Sequence, residues 1–286
     1  MNQAADSRFS LKPPTPILVA DLFPELREHL LALLQSLTKE QWLLPTAARK
    51  WNVKDVALHL LGGDLSNISR RRDEFLLPGG PISGWDDLVA YINQLNQSWV
   101  EAARRISTRL LCDLLEHVGR QADEYFMSMA PFAVGGAVNW AGPEPAPQWL
   151  DVAREYTERW HHQQQIRDAT GHPGLYQPRL FAPVLDAFVR ALPNTFRAVD
   201  APEKTSVQLT LAGEAGGQWL LRRVGEKWEL FVGSTDTPDS EVKLAAEDAW
   251  KVFTRGVRGT EAVRCAKISG DHGLGSKILD TVAVIA

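Results

Sequence analysis

The sequence predicts a mainly α fold followed by a small α+β fold, with a helical domain over residues 1–200 and a sheet-containing domain over residues 201–286. Three observations predict it. Apolar residues recur every three or four positions through long segments of the first 192 residues, the period of helices that bury one face. Near Ala201-Pro202 the period changes to the alternation of strands. A chain of 286 residues is also longer than one domain usually is, at roughly 150 residues each. Hydrophobic residues make up 44% of the chain and charged residues 23%, so a real core can form and disorder is excluded.

From Ile17 to Leu37 the leucines at 18, 22, 26, 30, 33 and 37 form one stripe, the first helix, with Pro24 expected to bend it. Asn52 followed three residues later by Asp55 resembles a capping box with a short acid, and it opens a second helix to about Phe75. Leu77-Pro78-Gly79-Gly80-Pro81 ends that helix. A third helical pattern begins near Trp85 and continues, with a break near Ser107, toward Met129. Pro131 to Pro147 holds three Gly and four Pro and is expected to be an irregular loop. The fourth helix covers Gln148–Thr170, with Gly171 where a helix C-terminal glycine belongs, and a shorter one near Leu180–Leu192 precedes Pro193. Beyond Ala201, Val207, Leu209 and Leu211 alternate with polar partners. Gly213–Gly217 is a turn, and Gln218–Val224 and Lys227–Val232 form a hairpin about Gly225-Glu226. Ala246–Thr254 is a short helix, Ala262–Ile268 a further strand and Leu274–Ile285 a closing helix. No internal repeat of solenoid period is present.

Charge and motif content exclude several functions. Thirty-one Lys and Arg against 35 Asp and Glu leave a net charge of −4, which gives no general attraction to phosphate backbones or anionic lipid. Arg70-Arg71-Arg72 is the only dense basic run, lacks interleaved aromatics and reads as a solvated helix end. The expected partners are therefore small molecules, without nucleic acid or membrane, for a monomer or small homo-oligomer. Cys112 and Cys265 have neither metal nor redox spacing, which suits a reducing compartment. Met1–Arg8 lacks the apolar core of a signal peptide, and no stretch of about 18 apolar residues occurs, so a cytoplasmic location is expected. Phosphate-loop, dinucleotide, nucleophile-elbow and His-Glu-x-x-His signatures are all missing from the sequence.

The densest group of chemically able side chains lies on the fourth helix, from Arg154 to Ala169. Positions four apart share a helix face, so Glu158 and His162 project side by side, with Gln165 one turn on. A carboxylate and an imidazole so placed can close on a borderline metal such as zinc, which takes N and O ligands at about 2.0–2.2 Å. The third ligand must come from elsewhere. His59 is the natural candidate, because it sits in the apolar run Val56-Ala57-Leu58-His59-Leu60-Leu61, where a polar ring needs a partner. Each residue has a plainer reading as well. A lone histidine in an apolar helix is more often bonded within the core, and a Glu–His pair more often an exposed ion pair. His161, three residues from Glu158, competes with His162 on spacing.

Taken together, these segments resemble a known family. Trp51-Asn52-Val53-Lys54-Asp55-Val56-Ala57-Leu58-His59-Leu60 is similar to the tryptophan-led Asp-Val-Ala-x-His motif of the DinB-like four-helix bundles, and more narrowly to the N-terminal domain of mycothiol-dependent maleylpyruvate isomerases. Glu158 to Ala169 resembles the Glu-x-x-x-His metal motif on the late helix of that group, His162 aligning because the Gln-Gln-Gln-Ile-Arg run follows it. Ala246-Glu247-Asp248-Ala249-Trp250 and Ile268-Ser269-Gly270-Asp271 resemble the family's sterol-carrier-protein-like α+β C-terminal domain. The resemblance implies a divalent metal such as zinc held by His59, Glu158 and His162, with mycothiol or another low-molecular-weight thiol as cosubstrate. It implies an isomerase or S-transferase acting on a small electrophile such as maleylpyruvate. There a thiolate adds to the conjugated cis double bond, the adduct rotates, and the thiolate leaves to give the trans isomer. The anionic substrate calls for a cation, for which Arg167 and Arg70–Arg72 are candidates that the sequence does not separate. A metal-dependent hydrolase, and a non-catalytic binder of small apolar molecules or lipid, are the alternatives.

Overall fold

Leucine spacing and local capping account for the first half of the chain. In the computed structural model, which describes residues 11–48, 50–76 and 83–284, helix α1 spans Phe23–Ser36 and turns Phe23, Leu26, Leu30, Leu31, Leu33 and Leu34 inward. Pro24 lies in the first turn of α1, where its missing N–H has no helical partner to lose, so it starts the helix instead of bending it. Helix α2 spans Val53–Asn67 and opens on a complete capping box. The Asp55 amide donates to the Asn52 side chain at 2.9 Å, and the Asn52 amide donates to the Asp55 carboxylate at 3.3 Å. Arg104 donates twice to the same carboxylate, at 2.9 Å each. The helix continues through a π-helical turn, Ile68–Arg72, and so stops short of the expected Phe75. The expected terminator at residues 77–81 falls outside the described residues.

The third helical pattern is two helices, α3 (Trp85–Ala103) and α4 (Thr108–Ser128), divided where Ser107 caps α4 by accepting from the Leu110 amide at 3.3 Å. Short strands β1 (Val134–Ala137) and β2 (Pro145–Pro147) pair within the segment expected to be irregular. Helix α5 runs from Gln148 to Thr170 and ends at Gly171, whose φ of 71° is the left-handed conformation that favours glycine. Residues 18–135 and 147–175 form one compact unit. In it α1, α2, α4 and α5 pack together and α3 lies on α2. Phe23 stacks on Phe126 with centroids 4.6 Å apart and meets Tyr156 edge-on at 5.6 Å, joining α1, α4 and α5 in one core.

The α2–α3 contact depends on a glycine. A Cβ added at Gly62 would lie 2.5 Å from the Trp99 indole, and that ring is pinned because its N–H donates to the Leu58 carbonyl at 2.7 Å. Alanine at position 62 gains about 1 kcal/mol of helix propensity, but displacing a pinned ring in a packed contact costs about 1–3 kcal/mol. Gly62→Ala is therefore expected to be net destabilising, seen as a lower urea midpoint at unchanged slope.

Residues 136–146 and 176–284, with residues 11–17, form the second unit. Helices α6 (Pro178–Val189) and α7 (Leu192–Phe196) belong to it, so the contact boundary falls at residue 175/176, ahead of the composition change near Ala201. The reason is aromatic packing: Phe188 meets Phe253 at 6.5 Å, and Phe196 meets Trp228 edge-on at 5.1 Å. The sheet has strands β3 (Ser206–Ala212), β4 (Gly217–Val224), β5 (Lys227–Val232), β6 (Ser240–Ala245) and β7 (Ala266–Gly270) in the order β5-β4-β3-β6-β7. Its β3–β6 pair is parallel and the others are antiparallel. Helix α8 (Ala246–Phe253) follows β6 directly. The strand expected at Ala262–Ile268 splits into helix α9 (Thr260–Cys265) and β7. The closing helix α10 starts early, at His272, because Asp271 caps it by accepting from the Leu274 amide at 3.0 Å; it ends at Lys277 and passes into a 3-10 turn, Ile278–Asp280.

Candidate metal centre

Helices α2 and α5 each bring chemistry to their shared contact within the bundle. His59 lies in the middle of α2, and Glu158 and His162 lie one turn apart on α5. One ligand atom from each of these three residues lies within 4.8 Å of the other two. His162 Nε2 and a Glu158 carboxylate oxygen are 3.3 Å apart, and the His59 and His162 rings meet edge-on with centroids 4.6 Å apart. Burial, and then the neighbouring His162, hold the His59 imidazole well below its usual pKa, so the ring is neutral and its lone pair is available. Trp51, which leads α2, covers one face of that ring at 4.9 Å and donates from its indole N–H to Gln97 at 3.0 Å.

The donor set suits a divalent cation. Two imidazoles and one carboxylate are the N and O ligands that zinc accepts, and tetrahedral ligands at about 2.0–2.1 Å stand roughly 3.3 Å apart. A bare imidazole nitrogen at 3.3 Å from a carboxylate oxygen presents two lone pairs to each other, an arrangement relieved by a cation or a proton between them. Three protein ligands leave a position for a further group.

Of the adjacent histidines, His162 joins the cluster and His161 is engaged elsewhere. Gln165, one turn on, reaches both: its side-chain oxygen lies 3.0 Å from His162 Nδ1 and its side-chain nitrogen 3.0 Å from His161 Nε2. Burial, followed by the nearby His162 and His59, also lowers the His161 pKa well below the usual value.

Next to the cluster runs a buried ionic network that sequence reasoning missed. Glu155 precedes Glu158 by three residues and shares its side of α5, yet it is fully committed. It accepts from Asn67 at 2.9 Å, from Arg159 at 2.8 Å and from Arg154. Burial alone raises its carboxyl pKa, but Arg154, Arg159 and Arg71 together outweigh burial and hold it below the carboxylate range. Arg159 also donates to Asp64 of α2, and its guanidinium lies 5.3 Å from the Phe23 ring centroid and 5.0 Å from that of Phe126. Three of the candidate anion-binding arginines are engaged as well, and Arg70 is exposed. Arg71 pairs with Asp151, Arg72 bonds Asp73 and Gln121, and Arg167 donates to Pro173, Gln163 and the His29 carbonyl.

A four-helix core bearing a two-histidine, one-carboxylate cluster, followed by an α+β unit, defines the class of protein. Residues 23–167 match the family described as the mycothiol maleylpyruvate isomerase N-terminal domain, and the chain belongs to that enzyme family. Among solved structures, the mycothiol-dependent maleylpyruvate isomerase and a mutant of it each superpose with a TM-score of 0.53 at 10% identity, over 87% of this chain and 91% of theirs. These matches establish the shared fold. The sterol carrier protein 2 like 2 structure from Aedes aegypti aligns over 34% of this chain and 95% of its own, at 22% identity and a TM-score of 0.27. No curated protein matches the chain by sequence. No helix among the described residues is long and apolar enough to cross a membrane.

Proposed function

We propose that this protein is a metal- and thiol-dependent isomerase or S-transferase, in which His59, Glu158 and His162 hold a divalent ion such as zinc. Its cosubstrate is a low-molecular-weight thiol of the mycothiol type and its electrophile a small unsaturated acid such as maleylpyruvate. The observation that carries this reading is the convergence of three metal-competent side chains within 4.8 Å, in a chain of this family. An ion bound there supplies the charge that keeps a coordinated thiol deprotonated near neutral pH.

The chain's own residues support the arrangement. His59 offers a neutral ring, Trp51 shields one face of it, and Glu158 brings the negative charge that favours a dication over a neutral occupant. Neither protein thiol is suited to act as the nucleophile. Burial and Asp113 raise the Cys112 pKa, and burial, Asp248 and Glu261 raise that of Cys265, so both stay protonated. The nucleophilic sulfur must then come from outside.

Protein purified without metal-chelating resin is expected to carry about one zinc or similar ion per chain. Its isomerisation of maleylpyruvate is expected to fall to background when either the thiol is omitted or the ion is removed by a chelator. Metal-dependent turnover that persists without thiol would favour hydrolysis, and a protein that takes up no metal even from added zinc would refute both enzymatic readings.

A further inference from the structure

We infer that Arg154, together with the gap that Gly63 leaves beside His59, receives a carboxylate of the substrate next to the metal cluster. The inference deepens the proposed function by naming the residue that recognises an acid there, and it rests on that reading for the reaction that follows.

Helix spacing supplies the cation. Arg154 precedes Glu158 by four residues and His162 by eight, so the three share one face of α5. Two carboxylates hold its guanidinium: Nε donates to Asp151 at 3.0 Å, and Nη2 lies 2.9 Å from the same Asp151 oxygen and donates to Glu155. Among the described residues nothing accepts from Nη1, and the side chain is 20% exposed, so a solute can reach it. Asp151 and Glu155 therefore fix the fork while leaving donors to spare, and a planar fork already held in place suits a carboxylate. Burial lowers the Arg154 pKa, but Glu155, Asp151 and Glu158 together raise it above the usual value, which places the charged guanidinium in the field of the cluster's own carboxylate. Arg159 offers no such end, because its Nη1 and Nη2 are committed to Glu155 and Asp64.

The facing helix leaves the room. Gly63 follows His59 by four residues and shares its face of α2. It is half-buried, yet a Cβ placed on it meets nothing within 4 Å. The two helices run in opposite directions, since His59 stands against His162 and Asn67 against Glu155. The turn of α2 between His59 and Asn67, which holds Gly63, is thus level with the turn of α5 between Glu155 and Glu158. Asn67 ties these levels together, donating to the Gly63 carbonyl and to Glu155 at 2.9 Å each. A small unsaturated acid in the gap has its carboxylate at Arg154 and its double bond toward the cluster.

The test titrates maleate calorimetrically into zinc-incubated parent, Arg154→Gln, Arg154→Lys and Gly63→Leu. Chelator competition measures zinc in each, and circular dichroism checks the fold. Arg154→Gln should weaken maleate about 10–100-fold, the worth of hydrogen bonds to a charged group, and should raise KM for maleylpyruvate more than it lowers kcat. Arg154→Lys, which keeps the charge without the fork, should fall between. Gly63→Leu favours the helix but fills the gap, and should block maleate. Zinc affinity should stay within a few-fold of the parent in all three. Equal maleate affinity in the parent and Arg154→Gln overturns the inference and leaves the metal reading standing. Zinc lost together with maleate also overturns it, making Arg154 a support of the cluster. If Arg154→Gln loses its helical circular dichroism, the other two variants decide: weaker maleate in both supports the inference, and parent-like affinity in either rejects it. A parent that takes up no zinc removes the metal reading, while the carboxylate site stands if that parent binds maleate and Arg154→Gln does not, and falls if neither binds.

Discussion

His162→Ala protein is expected to lose stoichiometric metal while keeping its helical content, whereas His161→Ala keeps the ion with a smaller loss of affinity. The asymmetry follows from the helix. Successive residues point about 100° apart around the axis, so His161 cannot replace His162 beside Glu158 without unwinding α5. With His162 gone, one imidazole and one carboxylate remain from the cluster within 4.8 Å, too few for a site that needs at least three protein ligands. The affinity loss should therefore exceed the 10–100-fold typical of an outer partner. Stability should change little, since Glu158 is 24% exposed and can be solvated once its neighbour is removed. Elemental analysis of both variants beside the parent, with circular dichroism as the fold control, measures the difference. Metal retained in His162→Ala and lost in His161→Ala would transfer the ligand role to His161.

The site was legible in the sequence to the extent that helix geometry is local. Glu158 and His162 share a face by their spacing, and His59 announces itself as a lone polar ring in an apolar run. The capping box at Asn52 and the glycine at 171 likewise act over a few residues, and both stand where expected. Spacing could not separate His161 from His162, because the deciding contact is with His59, which only the packing of α2 against α5 brings to the His162 ring. Nor could it find the Asp64–Arg159–Glu155 network, since Arg159 and Glu155 look like a solvated i, i+4 pair until α2 brings Asp64 and Asn67 against them. A signal was nonetheless present: a helix with charged or amide residues on every face is either solvated throughout or buried with its polar groups paired. In the second unit β6 was missed although Ser240, Val242 and Leu244 alternate inward. Its partner β3 lies far back in sequence and pairs with it in parallel, so no hairpin signal marks it.

That network yields the second large effect: Arg159→Met is expected to destabilise the protein by about 3–5 kcal/mol, the usual cost of removing one partner from a buried ion cluster. Arg159 donates to the Asp64 side chain and, with Asn67 and Arg154, to Glu155, so its loss takes a charged partner from one buried carboxylate and weakens the hold on another. The change also removes the guanidinium that lies against Phe23 and Phe126, worth about 0.5–2 kcal/mol. Burial already raises the Asp64 pKa in the parent, and without Arg159 it must rise further. A carboxyl whose folded pKa exceeds its unfolded value stabilises the fold below the unfolded value and loses that contribution as pH climbs through the folded one. The deficit of the variant should accordingly be largest near neutrality and shrink on acidification toward the ordinary carboxylate range. The paired variant Arg159→Met with Asp64→Leu removes both charges and should recover part of the loss. Urea denaturation of the two single variants, the double variant and the parent gives the coupling directly. A double variant that loses the sum of the single losses would show that Arg159 and Asp64 act independently, and that the network stabilises the bundle only through packing.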